Sequence, residues 1–213
     1  RRKYFLRSIK VTEMTQNSAS RHKITRADIM PMAEYAKIRR AHRNELVEMK
    51  RRRRVHIGPH VSLYFENYAT MWAQVQEMLF IERGGEDQVE GELAAYNPLI
   101  PQGTDLIATM MIEIEDENLR RRTLASLGHI EDMVHISFTG HTVKGVPEAD
   151  IDHTTEEGKT SSVHFLHFAF TPVQVTDFKA GSAQVAVGIL HPSYGHMAVL
   201  SEESRAALAA DLA

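Results

Sequence analysis

The chain has 213 residues, 43% of them hydrophobic, and no cysteine, which excludes disulfides, thiolate catalysis and cysteine-ligated zinc or iron–sulfur centres. A formal net charge of −3 gives no global bias toward nucleic acid or an anionic membrane. No apolar run approaches the ~20 residues that span a bilayer, and the missing thiols fit a cytoplasmic setting.

The first 22 residues are expected to be loosely ordered. RRKYFLRSIK is basic and acid-free, but Tyr4–Leu6 is too short for a signal-peptide core. Met14 opens a more ordinary stretch, so residues 1–13 read as upstream sequence. Residues 23–213 are long enough for one domain with a proper core. Asp28 predicts the N-cap of a helix over Ile29–Arg51, with Pro31 in its first turn and the cations Lys50–Arg54 at its end. Val55–Phe65 reads as a strand broken by Gly58-Pro59. Glu66-Asn67 leads into a second helix around Met71–Arg83, stopped by Gly84-Gly85. Asp87–Tyr96 predicts a third helix, ended by Asn97-Pro98.

Strands then dominate. Asp105–Glu115 is β-branched and Met-rich, and Asp116 caps a short helix through Leu127 that Gly128 stops. Ile130–Phe138 predicts a strand, Gly140–Gly145 a turn, Glu148–Lys159 a polar loop and Ser162–Phe170 a strand. Thr171-Pro172-Val173-Gln174 is a capping box with Pro at the first helical position, and its helix ends at Gly181. Ala183–Leu190 predicts a strand, His191–His196 a turn and Met197–Leu200 a short strand, before Ser201 caps a terminal helix. Helices first and strands afterwards argue an α+β fold, its helical N-terminal half packed on a mostly antiparallel or mixed sheet.

Charged residues within apolar stripes supply the candidate site. At about 100° per residue, Met71, Val75, Met78 and Leu79 form one stripe, and Glu82 falls inside it. Ile29, Met32, Ala33, Ala36 and Val47 form another, and Arg40 and Arg43 fall inside that. Buried charge is costly unless paired, so an Arg40 or Arg43 contact to Glu82 is expected. It is either a structural ion pair or an interhelical site where guanidinium forks hold a small acid or phosphate. Phe80, Ile81 and Ala73 lie off the main stripe, with Gln74, Gln76 and Glu77 between them. A helix apolar on two sides is sandwiched, inside the chain or in a homodimer.

A carboxylate metal site is the competing reading. Glu66, Gln76, Glu77 and Glu82 gather oxygens near that helix, but di-iron carboxylate sites need Glu-x-x-His pairs, and Glu77 is followed three residues on by Phe80. No metal is therefore expected on these glutamates; if one binds, Glu66 and Glu77 with His191 are the candidate ligands. Among the twelve histidines, His56 and His60 are separated by Gly58-Pro59, which forbids helical convergence. His164 and His167 fall on opposite faces of one strand. Glu113 and Glu115 face away from the core positions Met110, Ile112 and Ile114. The run Arg51–Arg54 could bind phosphates but lacks an aromatic stacking platform and sits beside Glu45 and Glu48. No nucleophile elbow, phosphate-binding loop, GxGxxG or HExxH occurs.

Several words of the sequence together resemble a bacterial family of unknown function. They are Glu34-Tyr35 with Arg39 and Arg43, Gly58-Pro59, Phe65-Glu66-Asn67, Thr70, Gln74-Val75-Gln76-Glu77-Met78 with Glu82, Leu99-Ile100-Pro101, Ala108–Glu113, Val163–Leu166, and His191-Pro192-Ser193-Tyr194. The resemblance runs from about His22 to Ala198. Members of that family are often encoded beside rubrerythrin and an iron–sulfur oxidoreductase, so the resemblance implies a link to peroxide or iron chemistry and a redox or iron protein as partner. It implies no activity, cofactor or catalytic residue.

The sequence thus predicts a soluble accessory or binding protein, leaning away from an enzyme. Its ligand-binding residues are Arg39, Arg40, Arg43, Glu66, Gln76, Glu77 and Glu82. The alternatives are a metal-dependent enzyme with Glu and His ligands, and an RNA- or phosphate-binding module built on Lys50–Arg54.

Overall fold

The computed structural model describes residues 21–149, 153–155, 158–181 and 184–213. The expectation of loose order in the N-terminal segment falls almost wholly outside them. Among the described residues six α-helices and nine strands follow one another: α1 Met32–Arg53, β1 Arg54–Ile57, β2 Val61–Phe65, α2 Tyr68–Glu82, α3 Glu86–Tyr96, β3 Asp105–Ile112, α4 Glu117–Ser126, β4 Val134–Phe138, β5 His141–Lys144, β6 Val146–Pro147, β7 Val163–Ala169, α5 Pro172–Ala180, β8 Ala186–His191, β9 Tyr194–Val199 and α6 Glu202–Ala209.

The strands form two sheets, ordered β1-β2-β3-β7-β6 and β5-β4-β8-β9, with every pairing antiparallel. The fold is α+β, helical first and sheet-rich afterwards. One core lies between the sheets, where Leu63, Phe65, Leu106, Ala108, Met110, Leu166 and Phe168 meet Val134, Ile136, Val187 and Ile189. A second core joins Tyr35, Leu46, Met71, Trp72, Val75 and Leu79 to Ile107, on the other face of β3. Period-2 alternation along β3 thus feeds both cores. At Gly145 the chain steps directly from one sheet into the other, and the Gly145 N–H donates to Val134 O at 2.9 Å.

Side-chain caps fix several helix starts. Asn67 accepts from Thr70 N, Asp116 from Leu119 N, Thr171 from Gln174 N and Ser201 from Ser204 N. Asp28 caps no long helix. It belongs to a single 3₁₀ turn at Arg26–Asp28 with Thr25 as its cap, and α1 starts after Pro31. Ile130–Met133 is a 3₁₀ turn rather than strand. The Gly140–Gly145 segment is mostly strand β5, entered through Thr139 and Gly140, both at positive φ, the geometry of a tight hairpin turn. The predicted His191–His196 turn is instead the tip of the β8–β9 hairpin, with His191 and Tyr194 paired.

The α1 stripe also needs correction. Its inward row is Met32, Tyr35, Arg39, His42, Leu46, Met49 and Arg53, buried or half-buried throughout, whereas Ala33, Ala36, Arg40, Arg43 and Val47 are exposed. Alternating three- and four-residue steps put this row on one helix face. Its polar members obscure it in the sequence because their partners lie on other elements. Helix α2 is sandwiched as expected, between α1 and α3. Among the described residues, no helix is long and apolar enough to cross a membrane.

Candidate functional site

The seam between α1 and α2 holds a charged cluster. Glu77 on α2 accepts from the Tyr35 hydroxyl at 2.6 Å and from Arg39, whose Nε lies 2.9 Å from Oε1 and whose Nη2 lies 2.8 Å from Oε2. This is the bidentate fork of an arginine–carboxylate pair. The Arg39 fork, and secondarily the Tyr35 bond, hold the Glu77 carboxyl below its ordinary value. Burial and the bond to Glu77 push the Tyr35 hydroxyl upward. The Arg39 guanidinium also lies over the Phe80 ring, 4.7 Å from its centroid, a cation–π contact.

Aromatic rings close the inner side. Tyr35 meets Trp72 and Phe80 edge to face at 6.1 and 5.9 Å, and His42 meets Trp72 at 5.2 Å. Burial lowers the His42 pKa. Gln76 lies one helical turn from both Trp72 and Phe80. It is fully buried, and neither its amide nitrogen nor its oxygen has a partner; His42 Nδ1 shares that condition. Buried polar groups are rarely left so.

On the outer side, Ala36, Arg39, Arg40, Arg43, Asn44, Val47 and Phe80 line a groove of about 440 Å³. Across Phe80 lies an apolar cleft of about 490 Å³ that includes Ile29, Met30, Met32, Leu79 and Val89, with Arg83 among its walls. Among the described residues, no carboxylate lies within ion-pairing distance of Arg40 or Arg43.

The structure therefore brings together Arg39 and Glu77, with Arg40 and Arg43 on the adjoining wall, whereas Gln76, next to Glu77 in the chain, is fully buried and lines neither cavity. It does not bring Glu82 to them. Glu82 is exposed and accepts from Gln88 Nε2 at 2.6 Å, so the expected Arg40 or Arg43 contact to it is absent. The reason is rotational: with the α1 row drawn through Tyr35 and His42, Arg39 faces α2 while Arg40 and Arg43 turn to solvent. Glu66 is buried elsewhere, accepting from the Thr70 and Thr109 hydroxyls at 2.6 and 2.7 Å. His191 faces Gly128 O through Nε2 and accepts from Ser193 N through Nδ1. Glu66, Glu77 and His191, the ligands named for a metal, are thus each held by separate partners. Tyr35 and His42 complete the cluster; the three- and four-residue spacing from Met32 to Arg53 is the signal that finds them.

The basic run Lys50–Arg54 is largely engaged within the chain. Arg53 is buried, donates to Phe65 O, Glu66 O and Ala207 O at 3.0–3.2 Å and pairs with Asp211. Arg54 pairs with Glu113, and Arg51 with Glu48 and Glu203.

The chain matches the family model described as protein of unknown function DUF3501 over residues 23–212, and it belongs to that family. It is similar to a crystal structure, at 1.90 Å resolution, of a novel protein of unknown function from Burkholderia pseudomallei K96243. Identity is 38%, the match covers 90% of this chain and 100% of that one, and the TM-score is 0.83. No curated protein matches it.

Proposed function

We propose that this DUF3501 member is a non-catalytic binding protein whose α1–α2 groove takes a small carboxylate- or phosphate-bearing ligand. The observation that carries the reading is the pair Arg40 and Arg43, which present guanidinium groups to one groove without a carboxylate partner among the described residues. Glu77, the nearest acid on α2, is already spent on Arg39 and Tyr35. Guanidinium forks recognise carboxylate and phosphate in the plane of two N–H groups. The apolar cleft across Phe80 favours an occupant with an apolar part beside its acid. The partner class this reading assigns is a redox or iron protein, following the gene neighbours that the family resemblance implies. A homodimer contact through the face of α2 that carries Phe80 and exposed Ile81 belongs to the same reading.

Titration with inorganic phosphate and with citrate, followed by amide NMR shifts, tests the groove. The expected result is a salt-sensitive shift confined to α1 and the Phe80 region, at least tenfold weaker in Arg40→Ala/Arg43→Ala. Equal shifts in that double variant, or none in the unaltered protein, would overturn the reading.

A further inference from the structure

A second cluster lies away from α1, where His153, between β6 and β7 in the chain, meets His164 of β7. His153 Nε2 is 2.7 Å from Glu148 O, and His164 Nε2 is 2.9 Å from Ser161 O. A carbonyl oxygen only accepts, so both Nε2 atoms carry a proton. In neutral rings both Nδ1 atoms are then bare lone pairs, yet they face each other at 3.1 Å, with the rings nearly parallel. Two lone pairs at that separation repel unless a cation lies between or beside them. Glu131 Oε2 is 3.8 Å from the same His164 Nδ1. That carboxylate is buried, and the Thr154 and Thr160 hydroxyls are its donors, at 3.2 and 3.4 Å. Among the described residues no lysine or arginine pairs with it.

We propose that His153 Nδ1, His164 Nδ1 and Glu131 form a binding site for a first-row transition-metal dication. Ligands at about 2.1 Å from a metal stand about 3.0–3.5 Å apart at octahedral to tetrahedral angles; the two Nδ1 atoms meet that spacing at 3.1 Å, whereas Glu131 stands 3.8 Å from His164 Nδ1 and farther from His153. Each imidazole donates its other ring N–H to a backbone carbonyl, the arrangement that orients metal-bound histidines and fixes their tautomer. Glu131, held only by the Thr154 and Thr160 hydroxyls, would have to move toward His153 to reach the third vertex when the ion binds. Two imidazoles and a carboxylate suit zinc, iron(II) or manganese(II). The competing occupant is a shared proton, with the imidazolium paired to Glu131; burial opposes either charge and the Glu131 carboxylate favours either, so titration with the metal separates them. His129 and Asp132 stand on the rim of the site, within 4.8 Å of Glu131 in ligand atoms. Bound metal would tie His153, between β6 and β7, to the buried face of β7 and to the 3₁₀ turn Ile130–Met133.

The test uses tag-free protein, stripped with a chelator and titrated with Zn²⁺ and Co²⁺. The expected result is one equivalent of either ion, ligand-field absorption in the cobalt form and a raised melting temperature with zinc. His153→Ala, at a half-buried position, should weaken zinc binding by more than about 100-fold; Glu131→Gln should weaken it too, and His141→Ala, whose ring pairs with Asp177 elsewhere, should leave it unchanged. Histidine-selective NMR reads Nδ1 directly, so the test stands even if a variant folds poorly. Absence of zinc binding, with a proton detected between the two Nδ1 atoms, overturns the proposal. So does binding that survives His153→Ala but is lost in His129→Ala, which would move the ion to the rim.

Discussion

Single side chains set the electrostatics of the α1–α2 seam. Glu77 illustrates the sign. Its carboxyl is held below the ordinary 4.5 by the Arg39 fork and the Tyr35 hydroxyl, so the folded state favours the charged form. That contribution is complete above the unfolded value and is lost as pH falls from 4.5 through the lower folded value. Glu77→Gln should therefore be less stable at pH 7, by about 1–2 kcal/mol, and the gap should close as the pH drops below that range. Denaturant melts of both proteins across pH check this; a gap that stays constant into acid would contradict it. Thr139 makes a second test at this scale. It is β-branched yet sits at φ 47°, a conformation that costs an L-residue about 1–2 kcal/mol. Thr139→Gly should recover about 1 kcal/mol, read as a higher denaturation midpoint.

Between elements, two sequence words of the family resemblance meet in space. Tyr194, at the start of β9, sends its hydroxyl to Ile57 O at 2.7 Å and accepts from His60 N and Val61 N at 2.8 and 3.1 Å. One phenol oxygen thereby satisfies three backbone groups of the β1–β2 turn. Gly58, in that turn, has φ +67°, and a Cβ there would lie 2.6 Å from the His196 ring and 2.9 Å from the Tyr194 oxygen. The Gly58 requirement is therefore both conformational and steric. Gly58→Ala should cost about 2–3 kcal/mol, and Tyr194→Phe, which strands the turn's polar groups, a comparable amount. Thermal melts measure both, and hydrogen exchange should show the loss of protection centred on His60 and Val61.

Across the whole molecule, Arg53 links the end of α1 to the C-terminal segment. Its guanidinium reaches Phe65 O, Glu66 O and Ala207 O and pairs with Asp211, with both side chains at most 5% exposed. Breaking one half of such a pair leaves buried charge without a partner, so Asp211→Ala should destabilise by about 3–5 kcal/mol. A melting temperature within a degree or two of the unaltered protein would contradict that role.

Local order was largely legible in the sequence. Asn67, Asp116, Thr171 and Ser201 stand at their helix starts because short side chains there meet free backbone N–H groups, and period-2 alternation gave the inward face of β3 and the opposed faces of His164 and His167. The α+β class followed from that order of elements. Tertiary structure alone decided which charges meet. The sequence named Arg39, Gln76 and Glu77 among the candidates, but it assigned Arg40 and Arg43 to Glu82, because an apolar stripe drawn through Ala33, Ala36 and Val47 is rotated away from the true row through Tyr35 and His42. Alanine and valine tolerate exposure, whereas a buried tyrosine, histidine or arginine needs partners on other elements, and no local pattern reports them. Arg53 reads as one cation in a solvated run until Asp211 is folded against it. His153, in a stretch with only a polar signature, acquires chemistry only when the chain returns it to His164 and Glu131, since short contacts between distant segments are fixed by packing and not by spacing.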